Sequence, residues 1–405
     1  MRPATHPNTA LAATLAIQIY ASLGATAMSV MAPVVAPAFG LPPELVGVFT
    51  GLVYAGAMIA SLFSGAFITR HGAIRVSQVS VLLCALGVLL LPVAAFAPAG
   101  TALLVLAALI IGAGYGPITP ASSQVLARTA PPSRMALTFS IKQTGVPAGA
   151  ALGGALLPTL TLMFGWPGTL FALAGTGIVV ALASQSIRSD LDRTRDRARA
   201  FTITGTMRPL RKVFASPILA ELVVISFFYA ALQVSLTSFL VVYLTDALGW
   251  SLVAAGLALS VATVSGVGGR LLWGAVADRR LRPRVVLGLL GVAGGACSLA
   301  MAAYPIGGPA TPLLVLAALF GATAIGWNGV QLAEVARHSP PGEAGAITGA
   351  SGFVTFAGVV VGPPLFGVIA TASGDYRTSF LSMGSVMLIC GAWLLWRARR
   401  AESQA

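Results

Sequence analysis

Two stretches of this chain, residues 1–187 and 217–397, follow one hydrophobic pattern and align on each other without a gap. Gly65 falls on Gly274 and Arg128 on Arg337, a shift of 209 residues in both cases. The same shift pairs Tyr20 with Tyr229, Gly40 with Gly249, Gly112 with Gly321, Pro131-Pro132 with Pro340-Pro341, Gly149 with Gly358 and Gly165 with Gly374. Chance matches do not hold one register from the first helix to the last. The chain is therefore expected to form two pseudo-symmetric halves, residues 1–187 and 217–405, joined by a polar linker at 188–216.

Those halves have the composition of lipid-dissolved protein. Of 405 residues, 57% are hydrophobic and 9% charged, with a mean hydropathy of +0.90; a soluble domain carries about 25% charged residues. A helix crosses a bilayer in about 20 apolar residues. Twelve such stretches are read at 11–37, 44–69, 75–96, 101–127, 134–163, 166–187, 217–244, 251–277, 283–304, 311–336, 344–371 and 376–397. The expected fold is an all-α membrane protein of twelve transmembrane helices in two six-helix bundles. Internal duplication of this kind is how many secondary transporters are built, with the substrate near the midplane between the repeats.

The net charge of +13 reports topology. Under the twelve-span reading, 21 of the 24 Lys and Arg residues fall in the tails or in loops on the side of the N-terminus, the exceptions being Lys142, Arg270 and Arg377. The positive-inside rule then puts both termini in the cytoplasm, and the inner membrane is the expected location. The opposite loops, near Glu44, Asp246 and Asp375, are short and nearly free of positive charge, so no nucleic-acid partner is expected. Cys84, Cys297 and Cys390 lie far apart with neither metal-ligand nor disulfide spacing. Between the repeats, Arg193, Arg195, Arg197, Arg199, Arg208, Arg211 and Lys212 alternate with Asp190, Asp192 and Asp196. A solvated linker is expected there, with a short surface helix lying against anionic lipid as the alternative.

The loop after the second span of each repeat carries a local signature. The second half reads Gly274-Ala-Val-Ala-Asp278-Arg279-Arg280, and the first reads Gly65-Ala-Phe-Ile-Thr69-Arg70-His71-Gly72, ending in Arg75. With twelve spans and a charged linker, this resembles the major facilitator superfamily. The resemblance implies a cytoplasmic clamp, in which the acid caps a neighbouring helix or pairs with arginines when the inner gate is shut. Asp278, Arg279, Arg70 and Arg75 are its gating candidates, and Thr69 stands where the first acid would be. More narrowly, Gly268-Gly269-Arg270-Leu-Leu-Trp273-Gly274 resembles the eighth helix of oxalate/formate antiporters and monocarboxylate carriers. That branch implies an arginine that binds substrate carboxylate.

Charge inside a membrane costs about 2.5–3.5 kcal/mol on insertion scales, so each instance is a functional candidate. Arg270 lies eight residues before Asp278 and Lys142 eight after Arg134, each about 12 Å from the cytoplasmic end of its helix at 1.5 Å per residue. Two cations facing one cavity attract an anion, and the planar fork of Arg270 suits a carboxylate. The rival reading pairs Arg270 or Lys142 with Glu334, which is then a gate residue or, if its proton is mobile, a coupling site. Polar residues fill out the candidate pocket: Tyr20, Tyr115, Thr119 and Gln143 in the first half, Tyr229, Gln233, Asn328, Gln331, Ser351 and Thr355 in the second. Each of these also serves as interhelical glue in the bland reading.

The leading expectation is a secondary active or facilitative carrier of a small anion, an organic mono- or dicarboxylate, working by alternating access as a monomer. Protons or a counter-anion are its expected coupling partners, and no cofactor is expected. The alternative is a proton-coupled exporter of drugs or amphipathic metabolites; from another class, a non-transporting membrane sensor. No Gly-x4-Gly-Lys-Ser/Thr loop is present, so ATP is not the direct energy source. An enzyme is not expected, for want of a nucleophile-base or metal constellation.

Overall fold

A computed structural model describes residues 5–40, 46–97, 99–193, 195–196, 203–250 and 252–402. Arg2, Glu44, Arg197 and Arg199, and the side chain of Asp246, lie outside the described residues. The first repeat runs α1 (Pro7–Val35), α2 (Val46–His71), α3 (Ala73–Ala95), α4 (Gly100–Tyr115), α5 (Ile118–Thr129), α6 (Met135–Gln143) and α7 (Gly145–Ala183). The linker contributes α8 (Gln185–Leu191) and α9 (Ile203–Ala215). The second repeat runs α10 (Pro217–Val242), α11 (Leu252–Arg279), α12 (Pro283–Ala302), α13 (Ala310–Ala324), α14 (Asn328–Arg337), α15 (Ala344–Ser373) and α16 (Tyr376–Glu402). The described residues contain no strand.

Eleven helical stretches among the described residues are long and apolar enough to cross a bilayer. The fifth expected span, 134–163, is in two pieces, α6 and the first part of α7. The sixth is the rest of α7, beyond a non-helical joint at Gly165 with φ 69°. Gly374, its partner under the 209-residue shift, has the same φ of 69°, and the pair Gly40 and Gly249 stand at 62° and 70°. Only glycine takes this left-handed conformation at no steric cost, so the duplication has kept the residue where the turn demands it.

A second symmetric feature is a pair of broken spans. The fourth span is interrupted between Tyr115 and Ile118 and the tenth between Ala324 and Asn328; Gly116 and Ile325 are partners under the shift. In the fourth span Pro117, which has no N–H, accounts for the lost hydrogen bond. In the tenth, Ala322, Ile325 and Gln233 supply side-chain and carbonyl partners around the break. The backbone at Gly116, Pro117 and Ile325 keeps right-handed α angles, so each span runs on through its interruption with hydrogen bonds missing rather than turning aside.

Helix packing within each repeat rests on glycine. A Cβ at Gly112 would strike the carbonyl of Val53, and one at Gly321 that of Ala262; Val53 and Ala262 are themselves repeat partners. The α2–α4 and α11–α13 contacts are thus one packing solution used twice. Close backbone approach through small residues is what holds helices together in lipid, where burial of apolar surface gives no net drive. Gly149 on α7 closes against the Ile19 carbonyl of α1 in the same way.

The chain falls into two compact units, whose borders differ from the repeat borders. Unit 1 comprises residues 1–131, 142–217 and 335–356; unit 2 comprises 132–141, 218–334 and 357–405. Residues 132–141 of the first repeat therefore pack with the second, and 335–356 of the second with the first. The two exchanged stretches overlap under the 209-residue shift, 132–141 falling on 341–350.

Candidate functional site

In unit 1 the chemistry gathers at Lys142, whose side chain is 1% exposed. Its Nζ donates to Gln18 Oε1 at 2.6 Å, to Gln143 Oε1 at 3.0 Å and to Thr119 Oγ1 at 3.2 Å. Thr119 donates in turn to Gln18 Oε1 at 3.3 Å. An ammonium has three N–H donors and no acceptor, and these three oxygens use all of them. Each charge-assisted bond contributes about 1.5–3 kcal/mol, which offsets a desolvation cost of several kcal/mol per buried ion. All three acceptors are neutral, so the positive charge itself stays uncompensated by them.

One turn before Thr119 stands Tyr115, edge-on to Tyr54 with ring centroids 6.2 Å apart. Phe356, from the exchanged stretch of the second repeat, lies 6.1 Å from Tyr54 and 6.3 Å from Tyr115. Three aromatic rings thus adjoin the lysine cluster across the break in the fourth span. Ser351 is buried and Thr355 turns its hydroxyl onto the Ser351 carbonyl at 3.0 Å. Tyr20 is in the apolar core of the unit, its hydroxyl against Gly177 of α7.

Unit 2 has its own buried cation. Arg270 is 3% exposed, and its Nε donates to the Ile325 carbonyl at 3.1 Å. That carbonyl lies at the C-terminal end of α13, where backbone acceptors lack intrahelical partners and the helix dipole favours positive charge. Trp273 Nε1 reaches the Ala322 carbonyl at 3.0 Å. Beyond the break, Gln233 Oε1 accepts from Trp327 Nε1 at 3.0 Å and Asn328 Nδ2 at 2.9 Å. Gln331 and Glu334, on the next turns of α14, are 4% and 5% exposed. Tyr229 donates to the Leu287 carbonyl at 2.9 Å and sits edge-on to Trp327, a packing position like that of Tyr20.

The signature loops form two different clamps. Asp278 Oδ1 and Oδ2 accept the backbone N–H groups of Ala136 and Leu137 at 3.0 and 2.7 Å. The carboxylate caps α6, where the orphan N–H groups and the dipole both favour an anion. Arg279 beside it is exposed. Under the shift, Ala136 corresponds to Gly345 and Asp278 to Thr69, but Thr69 bonds back to Gly65 of its own helix. Gln124 on α5 takes the vacated role: its Oε1 accepts from Gly345 N at 2.7 Å and its Nε2 donates to the Gly342 carbonyl at 2.9 Å. Ser61, the repeat partner of Arg270, donates to the Gly349 carbonyl at 3.1 Å, and Lys212 of α9 pairs with Glu343. Arg70 and Arg75 stand at the mouth of a separate cavity on α2 and α3.

A sequence profile of the Major Facilitator Superfamily matches residues 14–360. The chain belongs to that superfamily. Its relatives within it include the multidrug efflux pump Tap of Mycolicibacterium fortuitum, 27% identical over 368 residues, covering 85% of each chain. Monocarboxylate transporter 13 of Rattus norvegicus is 26% identical over 334 residues, 82% of this chain and 74% of the relative. Among solved structures, the fucose:proton symporter of E. coli superposes with a TM-score of 0.75 at 17% identity, covering 96% of this chain and 99% of the symporter. The likeness establishes the twelve-helix facilitator fold. Superfamily membership makes the chain a multi-pass membrane transporter rather than an enzyme.

Within this facilitator, several residues of the candidate site escape a reading of the sequence. Gln18 is an amide inside an apolar span, the same signal that singles out Gln233, and like Gln233, which falls on Gly24, it has no polar repeat partner, Phe227 standing at its position. Trp327, Tyr54 and Phe356 carry no mark that separates them from core aromatics. Gln124 is visible only once Thr69 is known to turn away from Gly345.

Proposed function

We propose that this superfamily member is a secondary carrier of a small organic anion, a mono- or dicarboxylate, with Lys142 and Arg270 as the cations that recognise it. The observation that carries the reading is Lys142: a buried ammonium whose three partners are all neutral oxygens. An anion that replaces one of them gains a charge-assisted bond and cancels the charge. Arg270 Nε donates to a backbone carbonyl, and the planar fork of a guanidinium matches carboxylate geometry. Gln143, Thr119 and Tyr115 in unit 1, and Gln233, Asn328 and Gln331 in unit 2, supply neutral hydrogen bonds that select among anions. Glu334, on the same face of α14 as Gln331 and one turn along, is the residue for coupling or gating. Tyr20 and Tyr229 play a packing part in this reading.

The test is thermal stabilisation of the purified protein by a panel of mono- and dicarboxylates, inorganic anions and cationic drugs, with Lys142→Gln and Arg270→Gln in parallel. One class of carboxylate should raise the melting temperature, and each variant should weaken it by between about tenfold and a hundredfold, the worth of one charge-assisted bond. Uptake of that carboxylate into proteoliposomes should fall with it. Stabilisation by cationic drugs alone, or carboxylate binding indifferent to both variants, would overturn the reading in favour of an exporter.

A further inference from the structure

A cavity of about 740 Å³ opens on unit 1, away from Lys142, between α2, α3, the broken fourth span and the start of the linker. Along α2 its lining runs from Ala60 to His71, a rise over eleven residues of about 16 Å at 1.5 Å per residue. That is half of a hydrocarbon core about 30 Å thick, the depth of one leaflet. The two ends differ in chemistry. The deep wall is apolar, with Phe63, Phe67, Val79 and Leu83; Phe67 and Val79 are 44% and 48% exposed, on the face of the spans that meets lipid. The mouth, at the end carrying the positive loops, is lined by Arg70, His71, Arg75, Arg188 and Arg195. None of the described lining residues is acidic.

The internal repeat supplies a control. In the second half Arg284, the partner of Arg75, pairs with Glu221, and Arg397, the partner of Arg188, stands 3.7 Å from the same carboxylate. In the first half the position of Glu221 is Ala12. Arg70 and Arg75 make no ion pair among the described residues. Asp192 is nearby, but its oxygens accept the N–H groups of Ile74 and Arg75 at 2.9 and 3.0 Å. Burial pushes its carboxyl above the usual range despite those bonds and the neighbouring Arg188 and Arg195. Arg188 Nε forms an ion pair with Asp192 at 3.8 Å and is buried with no hydrogen bond among the described residues.

We infer that this cavity binds an anionic phospholipid, its phosphate against Arg70, Arg75, Arg188 and Arg195 and an acyl chain along Phe67 and Val79. Basic recesses between transmembrane helices at the positively charged face recognise such headgroups, and arginine binds phosphate through paired N–H donors. A free phosphate shares the headgroup chemistry but leaves the apolar wall uncovered, which is why the occupant is a lipid.

The test uses the delipidated full-length protein in detergent, titrated with phosphatidylglycerol, phosphatidylcholine and inorganic phosphate, and read by melting temperature and by lipid retained in native mass spectrometry. Phosphatidylglycerol should stabilise and be retained, and the other two should not. Arg70→Gln with Arg195→Gln should raise its half-saturation about thirtyfold, at about 1 kcal/mol for each basic residue and 1.4 kcal/mol per tenfold. Val79→Trp, which fills the groove from its lipid-facing side, should abolish retention without lowering the melting temperature of the lipid-free protein. If the double variant does not fold, Val79→Trp decides. Equal response to both lipids, stabilisation by phosphate alone, or unchanged retention in Val79→Trp would overturn the inference.

Discussion

A buried lysine surrounded by amide and hydroxyl oxygens is a different object from a buried ion pair. In an ion pair the partner carboxylate cancels the field; Gln18, Gln143 and Thr119 satisfy the N–H groups of Lys142 and bring no negative charge to it. Two substitutions at Gln18 separate the effects. Gln18→Leu removes an acceptor from a buried ammonium and should destabilise the protein by about 1–3 kcal/mol, measured by unfolding in detergent. Gln18→Glu supplies a carboxylate at the same distance; it should preserve stability while weakening carboxylate binding at least as much as Lys142→Gln does. Carboxylate binding that survives Gln18→Glu would show that the field of Lys142 has no part in recognition. Lys142 and Arg270 were legible in the sequence because a charge inside an apolar span stands out against its neighbours. Gln18 was not, since polarity alone does not reveal which side chain faces it across a helix interface.

At the scale of helices, the two clamps illustrate how a duplicated element drifts while its job stays fixed. A helix start held from a neighbouring element needs an acceptor aimed at its first N–H groups. The second repeat meets that need with Asp278 and the first with Gln124, from different helices. Asp278→Ala should cost about 0.5–2 kcal/mol, as loss of an N-cap does, and should loosen α6; Gln124→Ala should loosen the start of α15. With Cys84, Cys297 and Cys390 replaced, a cysteine at buried Ser140 should then alkylate faster in Asp278→Ala, and one at buried Thr348 faster in Gln124→Ala. A rate that fails to respond, or responds to the wrong substitution, would show that these contacts do not hold the two stretches. The signature motif announced the first clamp. It was silent on the second, because a motif records residues in one loop and Gln124 comes from another span. The breaks at Gly116–Pro117 and Ile325–Trp327 were equally hidden, for a hydrophobic run reads as continuous whether or not its hydrogen bonds are.

For the molecule as a whole, the twelve spans and the repeat were plain from hydropathy and a single 209-residue shift, since both follow from patterns that persist along the chain. Which residues pack with which was less so. Division at the linker is the natural reading of a duplicated sequence, whereas packing places 335–356 with the first repeat and 132–141 with the second. The sequence carries no composition change at residue 335 or 142 to mark the exchange, because every residue there lies within or beside an ordinary apolar span.

That exchange bears on whether either repeat is a protein in its own right. Residues 1–216, made alone, would leave Ser61, Gly65, Gln124 and Lys212 facing empty space where 335–356 belongs, and 217–405 would lack the helix start that Asp278 caps. Each fragment should be degraded or aggregate when expressed singly, and both should be recovered as one monodisperse species when co-expressed; a stable, monodisperse fragment from either half alone would contradict this. Lost apart and recovered together, the two copies would no longer be interchangeable modules but halves that each complete the other.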